Sequence, residues 1–361
     1  MSPNAVHEGR SYLFLCALVL FLGGVITWFL LLIFGDATRA WRVLLINFLY
    51  FTPLATGLVT WSAIVIASKG YWAGEAERLT WTGFGFLIPS FILLIALWIG
   101  SPQWAPWYDN PTEKGFWLNN TFLFIRDTVA LLAFWICAAW YLCRRWTGRV
   151  RSIMPAAILI IMYCVVFSLI GFDLVMALTP IWSSAIFGAY FFISGLYNAV
   201  ALWALLAVFR PQFGSEIRSD FGKLIITFSI LSAYFFFMQL LTIWYENFPR
   251  ETSYVVARMN YKGWNAVSLA LVIILYLAPV VLLLTAWAKR NRLWLGAVAL
   301  LLLIGIWLQR WWLVMPGLLP QVQFGGTEIA GISTVLGLMG IGMHTASKHL
   351  PAIPAEKEAG P

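Results

Sequence analysis

Long apolar runs alternate with short polar breaks along almost the whole chain. An α-helix needs about 20 apolar residues to cross the roughly 30 Å of bilayer hydrocarbon. Ten runs meet that length, at about 12–34, 44–67, 79–100, 118–142, 154–177, 182–209, 223–245, 264–288, 292–314 and 328–346. No break between them exceeds about twenty residues, which leaves no room for a separate soluble domain. The pattern predicts an all-α integral membrane protein of about ten transmembrane helices, a single polytopic domain over 1–361 with 347–361 as a tail whose end, PAIPAEKEAGP, is polar, Pro-rich and disordered. Thr179-Pro180 supplies an N-cap followed by proline at the first helical position, so one helix is expected to end near Leu178 and the next to begin at once.

Composition agrees: 61% of residues are hydrophobic and 11% charged, against about 45–50% apolar in soluble globules. The first run is longer than the ~7–15 residues of a signal-peptide core and no small-residue cleavage site follows it, so it reads as a retained helix. The net charge of +8 does not point to nucleic acid, because the basic residues sort by loop. With ten helices both termini share one side. That side holds fifteen Lys and Arg, with RRWTGRVR at 144–151 the densest group; the other holds six, and Arg126 and Arg310 fall inside spans. The positive-inside rule then places both termini in the cytoplasm. On the other side, Trp104, Trp107, Tyr108 and Trp117 read as an interfacial aromatic belt. Gly331, Gly337, Gly340 and Gly342, and Ser184 with Gly188, read as close-packing positions. Cys16, Cys137, Cys143 and Cys164 form no C-x-x-C pair and read as small buried apolar residues.

Ionisable groups at membrane depth are costly and usually functional. At about 1.5 Å of rise per residue, Asp173 falls in the outer third of its helix and Arg310 at a similar depth. Arg126 and Asp127 lie roughly 14 Å in from the outer side, and Glu246 closes the seventh helix. Adjacent residues on a helix point about 100° apart, so Arg126 and Asp127 each require a partner across an interface, and Asp173 is available to Arg126 or to Arg310. The cluster is either a set of ion pairs that holds the bundle in register or a proton or ligand site. Only His344 lies within a span, so a two-histidine haem is not provided for. Iron–sulfur thiolate spacing and Gly-rich nucleotide loops are also absent from the sequence, and no metal site is expected. Any redox cofactor is expected on a partner.

FDLVMALTPIWSSAIFGAYFF at 172–192 and FFFMQLLTIWYENFPRETSYVVAR at 235–258 resemble the ActF subunit of alternative complex III, a bacterial quinol:electron-acceptor oxidoreductase, within the NrfD/PsrC-like membrane family. Asp173, Pro180 and Trp182 match the family's F-D-x-x-M-S-L-D-P-H-W pattern, with Thr179 and Ile181 where an Asp and a His usually stand. Trp244, Tyr245, Glu246, Pro249, Glu251 and Thr252 match W-Y-x-N-x-P-E-E-T, with Arg250 replacing an acid. The resemblance implies two four-helix bundles plus peripheral helices in a bacterial inner membrane. It also implies an ActC-like NrfD-family partner, iron–sulfur and multihaem cytochrome c subunits on the outer face, and a quinol or menaquinol that Trp182, Trp244 and Tyr245 would face.

Three readings follow: a quinol-facing or proton-conducting subunit of a respiratory complex, a structural anchor for a quinol-binding partner, and a secondary transporter. The last is disfavoured by the lack of inverted repeats and of paired broken helices. The topology is tested by a cysteine at Thr112, which is expected to react with an impermeant maleimide on intact cells. Reaction only after lysis would reverse the orientation.

Overall fold

The computed structural model describes residues 3–108, 115–147, 153–179, 182–260 and 263–351, without the side chains of 3–11, Tyr71 and Arg250. Thr112, Arg149, Arg151, Pro180, Ile181, Lys262, Lys357 and the tail beyond Pro351 lie outside the described residues, as do the side chains of His7, Arg10 and Arg250.

The described residues hold ten helices long and apolar enough to cross a membrane, and no strand. They are α1 (Pro3–Phe34), α2 (Ala37–Ala67), α3 (Trp72–Ile99, opening in 3-10 turns), α4 (Asn120–Trp146), α5 (Met154–Leu174), α6 (Phe187–Val208), α7 (Ser215–Glu246), α9 (Trp264–Leu282), α10 (Arg292–Val314) and α11 (Gly326–His349). A further helix, α8 (Pro249–Met259), is amphipathic and too short to cross. Side-chain caps set several starts: Asp36, Asn119 and Asn291 accept backbone N–H bonds at the openings of α2, α4 and α10. Both chain ends therefore lie at one end of the bundle, called here the terminal end.

Helices α2 to α5 form one four-helix group and α6, α7, α9 and α10 a second. The two groups join where α2 and α5 pack on α6 and α2 packs on α10, while α1 and α11 pair with each other and lie against α2 and α3. The apolar stretch of α2 is enclosed along its whole length. Its polar side chains must therefore find partners within the protein: Thr56 and Thr60 donate to the carbonyls of Thr52 and Thr56, and Asn47 donates to that of Val43 and accepts from Trp307. Pro53 interrupts the helix ladder, and Tyr163 donates to the Pro53 carbonyl at 3.2 Å. In α9 the carbonyl that a proline frees is itself answered. Pro279 cannot donate to Leu275, the helix widens to a π-turn over Val272–Leu277, and Ser229 and Tyr197 supply the missing donors to the Leu275 carbonyl at 2.9 and 3.1 Å.

Four expectations are corrected. No helix opens at Thr179: the chain makes a 3-10 turn at Met176–Leu178, is non-helical from Trp182 to Ile186, and α6 starts at Phe187. An N-cap contributes about 1 kcal/mol, less than burying the Trp182 indole, which stacks on Tyr254 at 3.8 Å. Ser184 therefore shares no helix with Gly188, which packs instead against Ser168 and Phe172. Trp104 and Trp107 are buried against Phe124 and each other, leaving Tyr108 and Trp117 half exposed. Cys16 and Cys143 are exposed and Cys137 and Cys164 half buried, because their helices turn those faces away from the bundle.

The glycines of α11 do pack closely: Gly337 and Gly340 face Ala17 and Phe21 of α1, and Gly342 lies backbone to backbone on Gly85 of α3. A methyl group on Gly85 would collide with the Gly342 carbonyl, whereas one on Gly23 meets nothing within 4 Å. Gly85→Ala is expected to destabilise the protein by about 1–3 kcal/mol through overpacking, and Gly23→Ala to leave stability within about 0.5 kcal/mol. Tryptophan-fluorescence melting in detergent checks both, and equal midpoints would refute the close approach.

Candidate functional site

Three groups of buried polar side chains lie toward the end opposite the termini. In the first, α4 and α5 bring Arg126, Asp127 and Asp173 together. Asp173 occupies the last turn of α5, where the helix dipole is unfavourable to an anion, so a cation must come from elsewhere. Arg126 supplies it, donating from Nε at 3.1 Å and from Nη2 at 2.5 Å to Asp173 Oδ2. Trp117 completes the shell twice over: its indole nitrogen donates to Asp173 Oδ1 at 2.9 Å, and its ring lies 3.8 Å beneath the guanidinium.

Asp127 was expected to need a partner separate from that of Arg126. Instead both side chains converge on Asp173. Asp127 and Asp173 are each fully enclosed, and their carboxyls lie close enough to act on each other directly. No protein donor reaches either Asp127 oxygen among the described residues. Two carboxylates have no hydrogen to share, so a bond between them exists only when one carries a proton. With both acids ionised the three side chains sum to one negative charge, and with one proton they sum to zero.

The second group surrounds Arg310 where α2, α6 and α10 meet. Arg310 is 1% exposed. Its Nη2 donates to Ser194 at 2.6 Å, and its guanidinium lies 4.2 Å over the Phe191 ring. No carboxylate pairs with it among the described residues, and Nε and Nη1 have no acceptor. Tyr50, Tyr163, Tyr190 and Tyr276 stand around it, and Gln309 donates to the Tyr190 hydroxyl. Asp173 therefore belongs to Arg126 alone.

The third group is a cavity of about 490 Å³ between the ends of α7 and α10, α8 and the start of α9. Phe236, Trp244, Tyr254 and Trp312 supply its aromatic walls and Arg258 its cation. Arg258 donates to the carbonyls of Tyr254 and Leu313, both at 2.9 Å, and lies 3.6 Å over the Tyr254 ring. Burial pushes its guanidinium below the ordinary value, and burial raises the Tyr254 hydroxyl, against the pull of Arg258. Of the residues proposed to face a ligand, Trp244 lines this cavity and Trp182 backs it through Tyr254. Tyr245 and Glu246 are exposed on the last turn of α7 and lie apart from all three groups.

Two enclosed ion pairs escaped the sequence reading. Arg145 grips Glu77 at 3.0 and 2.8 Å near the terminal end, where Ser62 donates to Glu77 and bonds Tyr141 and Trp81. Arg39 grips Glu328 at 3.0 and 2.8 Å at the opposite end. Glu328 also accepts from Gly325 N, and that capping spacing was the available signal. Arg145 and Arg39 had been counted as loop charges. Among the described residues no three His, Cys, Asp or Glu side chains gather as a metal site would require.

Ten crossing helices around an enclosed α2, with charge held at depth, define a multi-pass membrane protein of the all-α class. No family model and no curated protein matches the sequence.

The two acids are expected to differ on mutation. Asp173→Asn leaves Arg126 without its anion, a loss of about 3–5 kcal/mol for a buried pair. Asp127→Asn gives Asp173 an amide donor and should be neutral or stabilising. Melting of the two variants in detergent checks the order, and equal losses would refute the shared site.

Proposed function

We propose that this chain is a membrane subunit of a respiratory quinol-oxidising complex of the alternative complex III type, in a bacterial inner membrane with both termini in the cytoplasm. The observation that carries this reading is the facing pair Asp127 and Asp173 beneath one guanidinium. Quinol oxidation releases protons, and a carboxyl pair that together with Arg126 is neutral with one proton and singly negative without it is suited to accept and release one. The resemblance-bearing stretches also meet in space: Trp182 from the first stacks on Tyr254 from the second, beside the 490 Å³ cavity. That volume is within the usual 300–1,000 Å³ of small-molecule sites, and its aromatic walls suit the flat ring and apolar tail of a quinol or menaquinol. The chain itself offers no haem or iron–sulfur ligand set. Electrons would pass to an ActC-like NrfD-family subunit and to iron–sulfur and multihaem cytochrome c subunits.

A second reading, a structural anchor for a quinol-binding partner, is favoured by the Asp173 shell, which Arg126 and Trp117 already satisfy. One preparation separates them. Affinity purification in mild detergent is expected to bring down multihaem and iron–sulfur proteins, and recovery without bound haem or iron would overturn both readings. In the complex, Asp127→Asn is expected to assemble normally and to slow quinol-linked turnover about tenfold or more, the range of general acid–base contributions. Turnover equal to the parent would leave the anchor reading.

A further inference from the structure

The indole nitrogen of Trp182 is a buried donor with no acceptor among the described residues. Trp182 lines a chamber of about 10 Å³ whose walls also include Tyr190, Gln239, Tyr254 and Trp312. That is the room one water needs. On the inner wall, the Tyr190 hydroxyl accepts from Gln309 and lies 3.4 Å from the Tyr276 hydroxyl. A hydroxyl has one hydrogen and two lone pairs to offer, so one position of Tyr190 is still open.

We propose that this chamber is a binding site for one ordered water, which accepts from Trp182 Nε1 and bonds the Tyr190 hydroxyl, and that this water joins the large cavity to the polar cluster around Arg310. Phe236, Leu240, Ile243, Tyr254 and Trp312 line both spaces, so the water sits one ring behind the cavity wall. Inward, the hydrogen bonds run from Tyr190 to Gln309, the neighbour of Arg310 in the chain. A water fits better than an anion. The Gln309 Oε1 atom beyond the chamber is an acceptor still without a donor, and a proton on a water or hydroxyl can turn toward such an acceptor, whereas an anion cannot serve it. The site explains why Trp182 leaves the helix that Thr179-Pro180 would have started: the indole closes the chamber with its ring and anchors the water with its nitrogen. The inference rests on the geometry of the chamber and holds whatever fills the large cavity.

A map at a resolution that shows waters, recorded on the parent protein in detergent or nanodiscs, is expected to contain one peak within about 3.2 Å of both Trp182 Nε1 and Tyr190 Oη. No peak, or a peak bonded to only one of them, overturns the link. Trp182→Phe and Tyr190→Phe each remove one partner of the same water. The double variant is therefore expected to lose less than the sum of the two single losses, the sub-additivity of a shared partner. Fully additive losses overturn it. Should either variant fail to fold, the parent map decides alone.

Discussion

The close approach of α2 to α6 is the contact on which the rest of the bundle depends. A side chain on Gly57 would meet Ala199 and the Gly195 carbonyl, and one on Gly195 would meet Pro53 and the Tyr163 hydroxyl. Only backbone fits there, so the two helices touch and α5 closes the junction with Tyr163, which bonds the Pro53 carbonyl. That contact fastens one four-helix group to the other. Because α2 is then enclosed, its polar side chains are answered within the protein, some by its own carbonyls and others across an interface, as Tyr50 by Leu303, Trp61 by Leu196 and Asn47 by Trp307.

The buried charges are answered in three different ways. Arg126, Arg145 and Arg39 each have a carboxylate. Arg258 has the Tyr254 carbonyl, the Leu313 carbonyl in the last turn of α10 and an aromatic face, which together present partial negative charge without an anion. Arg310 has a hydroxyl, an aromatic face and a ring of tyrosines, and retains unanswered donors. The first arrangement fixes register and the second fixes the mouth of the cavity. The third leaves an electrostatic demand at the centre of the protein, next to the hydrogen-bonded tyrosines. The acid pair presents the opposite demand, one anion more than its single cation satisfies.

Much of this was legible in the sequence for a simple reason. Crossing hydrocarbon imposes a length and an apolar content that no tertiary contact can waive, so ten spans, the all-α class and the candidacy of Arg126, Asp127, Asp173 and Arg310 could be read one helix at a time. The richness of α11 in glycine pointed to close packing for the same local reason. The places where reading failed are those where local preference competed with burial. Thr179-Pro180 carries a sound helix start and loses to the Trp182 indole. The aromatic loop before α4 has the composition of an interfacial belt, yet Trp104 and Trp107 go inside.

Partner choice could not be read locally at all. Arg126 and Arg310 are equivalent candidates for Asp173 along the chain, and only the packing of α4 on α5 gives Asp173 to Arg126 and leaves Arg310 to Ser194. Arg145 and Arg39 look like loop charges until Glu77 and Glu328 arrive from distant segments. The facing of Asp127 with Asp173, the cavity beside Arg258 and the small chamber behind it all depend on how helices far apart in sequence turn toward one another. The sequence by itself determined how many segments have the length and apolar content to cross a membrane and that Arg126, Asp127, Asp173 and Arg310 fall within them. The tertiary structure decided which of them meet, because a charge in hydrocarbon takes the counter-charge, dipole or ring that helix packing brings within about 4 Å.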